Sequence, residues 1–163
     1  MHFDFIEFKS NVMDFFTNPV LLCAIFAWFA AQLIKLITTP YYKKEFSVMH
    51  TLFGTGGMPS SHTAAVSALT VASAISYGFG SFQFAISGVL AMIVVRDASG
   101  VRRSAGEQAK LVNRMIKTLS KGGVIDFTGN IKEIVGHTPF QVFVGALLGI
   151  AVPFLMMLIM PVR

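Results

Sequence analysis

From His62 to Val95 the chain carries no aspartate, glutamate, lysine or arginine. As one helix that run would be about 50 Å long, well beyond a hydrocarbon core of about 30 Å. It must therefore fold back on itself. Tyr77-Gly78-Phe79-Gly80-Ser81 supplies two glycines for a tight turn and divides the run into two short membrane helices. Two further apolar stretches flank it. Pro19–Thr39 contains one charge, Lys35, and Phe140–Val162 contains none, with Pro153 as an internal kink that neighbouring helices can tolerate.

These segments predict an all-α, integral-membrane helical bundle with about four transmembrane helices, at 19–39, 62–78, 81–95 and 140–162, in a single membrane domain spanning 1–163. Composition agrees: 13% of residues are charged, against about a quarter in soluble domains, and the mean hydropathy is +0.67. Residues 1–18 carry acidic groups and lack a basic start followed by an apolar run, so they do not read as a signal peptide. Phe3, Phe5, Phe8, Phe15 and Phe16 fit either a helix lying in the membrane interface or an ordinary packed helix. The single cysteine, Cys23, rules out an internal disulfide and a thiolate zinc site.

Four spans place the segments 40–61 and 96–138 on one side of the bilayer. Lys43, Lys44, Arg96, Arg102, Arg103, Lys110, Arg114, Lys117, Lys121 and Lys132 then share that side, ten of the 13 basic residues. The positive-inside rule puts this face in the cytoplasm, at the cell membrane. Lys35, His62, Arg96, Asp97 and His137 all lie near helix ends that meet it. Polar groups this close to a bilayer usually face a bundle interior or a polar cavity. For Lys35 alone, snorkelling to the interface is the plain alternative.

Two histidines with several cations and a helix N-terminus suit a phosphate. Pro59 and Ser60 can start the helix, whose first N–H groups and dipole hold an oxyanion, with Ser60 or Ser61 adding a hydroxyl. One histidine can attack phosphorus while another protonates the leaving oxygen, and lysine or arginine can stabilise charge on the remaining oxygens. No metal or other cofactor is expected, because H-E-x-x-H and paired-carboxylate spacings are absent. A capping or packing role for His62 is the structural alternative.

Pro59-Ser60-Ser61-His62 resembles the P-S-G-H motif of the type 2 phosphatidic acid phosphatase superfamily, which includes vanadium haloperoxidases. Gly136-His137-Thr138-Pro139-Phe140-Gln141-Val142, continuing to Gly145 and Gly149, resembles its last motif. With Arg96-Asp97-Ala98-Ser99-Gly100-Val101-Arg102-Arg103 and Ala105-Gly106-Glu107-Gln108-Ala109 between them, the chain is similar to the small divergent branch of that superfamily. The resemblance covers residues from about 35 to 150.

It implies a lipid-phosphate or lipid-pyrophosphate phosphatase acting through a phosphohistidine, with His137 as nucleophile and His62 as general acid. Lys35, Ser60, Ser61, Arg96, Arg102 and Arg103 are the candidate phosphate ligands. The acidic residue that orients the nucleophile maps to Gln141, which can accept a hydrogen bond but supplies no negative charge. Asp97 or Glu107 is a candidate replacement carboxylate. The first motif is incomplete, since Lys35 leads only to Thr38-Thr39-Pro40, and Ile131 stands where an arginine is usual. These departures favour a second reading, a lipid-phosphate binder or transporter without turnover.

Ala105, Ala109, Val112, Ile116 and Leu119 recur at helical spacing with Lys110, Arg114, Lys117 and Lys121 largely elsewhere. This amphipathic basic helix suits an anionic membrane surface, or packs on its own bundle with the charges solvated. The glycine-containing stretch from Lys121 to Lys132 reads as a connector or a lid. The expected partners are lipid phosphates and membrane lipids. Nucleic acid is not expected despite a pI near 9.6, since no nucleic-acid module is visible.

Overall fold

The structure, a computed structural model, describes residues 12–42, 57–122, 129, 131 and 136–159. The first eleven residues, Lys43, Lys44, Lys132 and most of the connector between Lys121 and Gly136 lie outside the described residues. Residues 12–17 are helical and exposed. The described helices are α1 (Pro19–Tyr42), α2 (Ser61–Tyr77), α3 (Phe82–Arg96), α4 (Arg102–Lys121) and α5 (Pro139–Ile159), with a π-helical turn, Asp97–Val101, joining α3 to α4. Pro19–Pro40, Phe82–Lys121 and Pro139–Ile159 are long and apolar enough to cross a membrane. The protein is an all-helical integral membrane bundle.

α2 is the central element and packs against α1, α5 and α3. Its 17 residues include no charged side chain other than His62 at its second position. Small residues bring the helices together: Ala27 and Ala31 of α1 meet Ala64 and Ala68 of α2 and Val152 of α5 in one buried cluster. Backbones can approach closely where side chains are small, which is how helices associate in lipid.

The closest approach is between α5 and the start of α2. A Cβ at Gly145 would stand 2.5 Å from the Ser60 carbonyl oxygen, and one at Gly149 would strike the Ala64 carbonyl oxygen. Phe143, Leu147, Phe154 and Leu155 on α5 are exposed, as expected for side chains facing acyl chains rather than protein.

The fold-back occurs at the expected glycine turn. Gly78 has φ +83°, a conformation that favours glycine, and its N–H caps α2 by donating to Ala74 O. Ser81 then caps α3, its hydroxyl oxygen accepting from Phe84 N at 3.2 Å.

α4 is held mainly by the π turn. Leu111, Val112, Met115 and Leu119 are exposed, so among the described residues the apolar stripe of α4 is not packed on the bundle.

Candidate functional site

Three segments converge at the end of the bundle that holds the start of α2. The first is α1. Lys35 is only 3% exposed, and its ammonium donates to Ser61 Oγ at 3.1 Å. No carboxylate pairs with it among the described residues. One turn further on, Thr39 is buried and its Oγ1 has no hydrogen-bond partner among the described residues. Thr38 Oγ1 donates to Met58 O at 2.7 Å, which ties α1 to the Gly57–Pro59 loop. Gly57 has φ +92° and lies over the Lys35 stem and Thr39 Oγ1, where a side chain would be strained.

The second segment is the start of α2. Ser60 is fully buried and caps the helix, its Oγ accepting from Thr63 N at 3.4 Å and from Thr63 Oγ1 at 2.9 Å. Its N–H donates to Gln141 O at 3.1 Å, joining α2 to α5. The Ser60 oxygen thus caps α2, while the Ser61 oxygen accepts from Lys35. His62 is exposed, and the charges of Arg102, Lys35 and Asp97 act on its ring.

His137 stands just before α5 and is 9% exposed. The π turn explains its position. The Arg102 N–H bonds to Asp97 O rather than to Ala98 O, its partner in an α-helix. Ala98 O is released from that bond and accepts from His137 N at 3.1 Å. Gly136 fits because it has no side chain: a Cβ there would strike the backbone of Arg103.

Burial holds the His137 imidazole below its ordinary value near 6.5, and the positive charge of Lys35 adds to the effect. The Gln141 side chain beside the ring opposes the shift. Its Oε1 is nevertheless taken by Thr138 N at 3.0 Å, while Thr138 Oγ1 accepts from Gln141 N at 3.3 Å. Thr138-Pro139-Phe140-Gln141 is therefore a capping box with proline at the first helical position. His137 Nδ1 is buried without a hydrogen-bond partner among the described residues.

The candidate residues divide into two groups. Lys35, Ser61, His62, His137 and Arg102 come together, with Gln141 at the His137 ring. Asp97 pairs with Arg102 at 2.5 Å and acts on His62, not on His137. Arg96 lies along an apolar groove with Met92, Ile93 and Val101, and Arg103 contributes its backbone beneath Gly136. Glu107 pairs with Lys110 on α4. No cluster of metal-binding side chains is present among the described residues.

Thr39, the Ala98 carbonyl and the Gly136 contact were not apparent from the sequence. The capping box was visible as T-P-F-Q, in a position that also reads as part of the site.

Comparison with known proteins places the chain in a family. A model of the divergent PAP2 family matches residues 16–152, a span that includes all three converging segments. The membrane protein YuiD of Bacillus subtilis (strain 168), described as uncharacterized, is 38% identical over 148 residues, covering 85% of this chain and 93% of that protein. No solved structure matches. Since the matched span holds the P-S-S-H, R-D-A-S-G-V-R-R and G-H-T-P segments that meet at one end of the bundle, the chain belongs to the divergent PAP2 family.

Proposed function

We propose that the protein is a membrane phosphatase for lipid phosphates or lipid pyrophosphates. The observation that carries this reading is Lys35: a buried ammonium whose hydrogen-bond partner among the described residues is a neutral hydroxyl. A buried charge without a counter-ion is costly, and a phosphate would supply one. Thr39 Oγ1 and the N-terminus of α2 add donors around the same place.

In this reading a neutral His137 nitrogen attacks phosphorus. The bond from phosphorus to the leaving oxygen breaks, and His62, protonated once the bound phosphate anion offsets the cations beside it, gives its proton to that oxygen. A water then attacks the phosphohistidine as His62 takes its proton, the P–N bond breaks, and inorganic phosphate leaves. Arg102, steadied by Asp97, and Lys35 offset charge on the phosphoryl oxygens. The low-lying His137 imidazole favours the neutral, attacking form. By the positive-inside rule the site faces the cytoplasm at the cell membrane.

A second reading, a lipid-phosphate binder or transporter, is favoured by one feature: among the described residues no carboxylate is hydrogen-bonded to His137 Nδ1. The imidazolium that forms during turnover would lack its usual support.

Phosphate release from a panel of lipid phosphates and pyrophosphates, with His137→Ala and His62→Ala alongside, separates the two. Release lost in both variants supports the phosphatase. Binding of the same lipids without release, weakened by Lys35→Met, supports the binder.

A further inference from the structure

We infer that α4 docks on an anionic lipid surface of the protein's own membrane, with its apolar stripe in the acyl boundary and its cations among the headgroups. Val112, Met115 and Leu119 recur at three and four residues and are exposed together. At 100° per residue, Lys110, Lys117 and Lys121 fall on the opposite side of the helix. Asn113 points between these faces, donating to Ile131 O at 2.9 Å and accepting from Ile131 N at 2.8 Å. Ile131 therefore sits on a flank of α4 and not over the stripe.

Charge selects the occupant. From Arg102 to Lys121 the helix carries six lysines and arginines against one acidic residue, Glu107, and Glu107 is paired with Lys110 at 3.1 Å. Phosphatidylglycerol-like headgroups complement such a helix, and a juxtamembrane cation contributes about 1 kcal/mol near an anionic leaflet. α4 also continues from α3 through the π turn without a loop, so it begins where the apolar span ends. Its first turn bears Arg102, and Asn113 in its middle holds Ile131, six residues before His137. Lipid docking would thus fix the framework around the site, although the docking itself does not depend on the phosphatase reading.

Spin labels placed at Met115→Cys and, separately, Lys117→Cys in a Cys23→Ala background test this in the full-length protein. Each is reconstituted in phosphatidylcholine bilayers with or without phosphatidylglycerol, and collision with oxygen is compared with collision with a water-soluble nickel chelate. With phosphatidylglycerol, the label at 115 should favour oxygen and the label at 117 should favour nickel. Removing phosphatidylglycerol, or the substitutions Lys110→Gln, Arg114→Gln and Lys121→Gln together, should lower the oxygen preference at 115 roughly tenfold. Nickel preference at 115 in anionic bilayers would overturn the proposal, as would an oxygen preference there indifferent to lipid charge. Spin–spin broadening between copies at 115 would assign the stripe to self-association instead, and overturn it equally.

Discussion

The His137 backbone N–H donates to the Ala98 carbonyl at 3.1 Å, so the candidate nucleophile is held by the turn that also carries Asp97 and leads into Arg102. The last motif and the arginine segment, separated by tens of residues in sequence, are one mechanical unit. Substitutions in either should be felt at the imidazole.

Gly136→Ala tests that unit. The added methyl would strike the Arg103 backbone, which cannot move as a side-chain end can. We expect a loss of phosphate-lipid turnover or binding larger than the loss in stability, measured by thermal unfolding beside the binding assay. A variant with native binding would show that the contact does not position His137.

Gly145→Ala should instead act on the bundle itself. Its Cβ would stand 2.5 Å from Ser60 O, and overpacking of this kind costs about 1–3 kcal/mol. Detergent-solubilised protein should unfold at a clearly lower temperature. An unchanged midpoint would mean that α2 and α5 can separate without cost.

Lys35→Met should separate folding from binding. Replacing a buried ammonium with an apolar side chain of similar length is expected to leave the ligand-free protein as stable or about 1 kcal/mol more so. The stabilisation conferred by added lipid phosphate should disappear. If lipid phosphate protects the variant as well as it protects the parent, Lys35 is not its counter-ion.

Gln141→Glu retains the capping box, since glutamate suits the third helical position, and brings a carboxylate to the His137 ring. Turnover should rise, by about tenfold or more if support of the imidazolium limits the rate. Equal turnover with intact folding would argue that His137 is not a nucleophile oriented from that position.

The pH dependence follows from the depressed His137 value. Unfolded histidine takes up a proton near pH 6.5, whereas the folded ring does so only at lower pH. Between those points the unfolded state binds more protons, so stability falls as pH is lowered through this window and is fully present above it. His137→Gln should flatten the midpoint-against-pH curve below about pH 6.5. A parallel curve would remove His137 from the linkage.

What could be read from the sequence follows the physics of each signal. Three spans were legible because an uncharged run has few alternatives in a bilayer, and the Tyr77–Ser81 turn was legible because Gly78 needs its positive φ. The segment expected at 62–78 forms the 17-residue α2, shorter than those three helices. Convergence of Lys35, His62 and His137 followed from counting crossings. The role of Asp97 did not, because its direction depends on the π turn; from sequence it stood as a candidate carboxylate for His137, whereas it pairs with Arg102. Ser60 was read as a phosphate ligand from its motif, and its oxygen also accepts two bonds from Thr63 as the cap of α2, a second role that the motif alone does not show. Thr39 carried no signal because an orphaned hydroxyl is a property of packing.

The π turn also sets a phase. A π turn accommodates an extra residue within a helix, and one residue is worth about 100° of rotation. Removing a single residue between Asp97 and Val101 would restore an ordinary helical register, but would swing every side chain of α4 by that angle relative to α3. Arg102 would leave the histidines, and the stripe of Val112, Met115 and Leu119 would face a different quarter. One extra residue thus acts as the angular reference for both ends of a helical path 40 residues long.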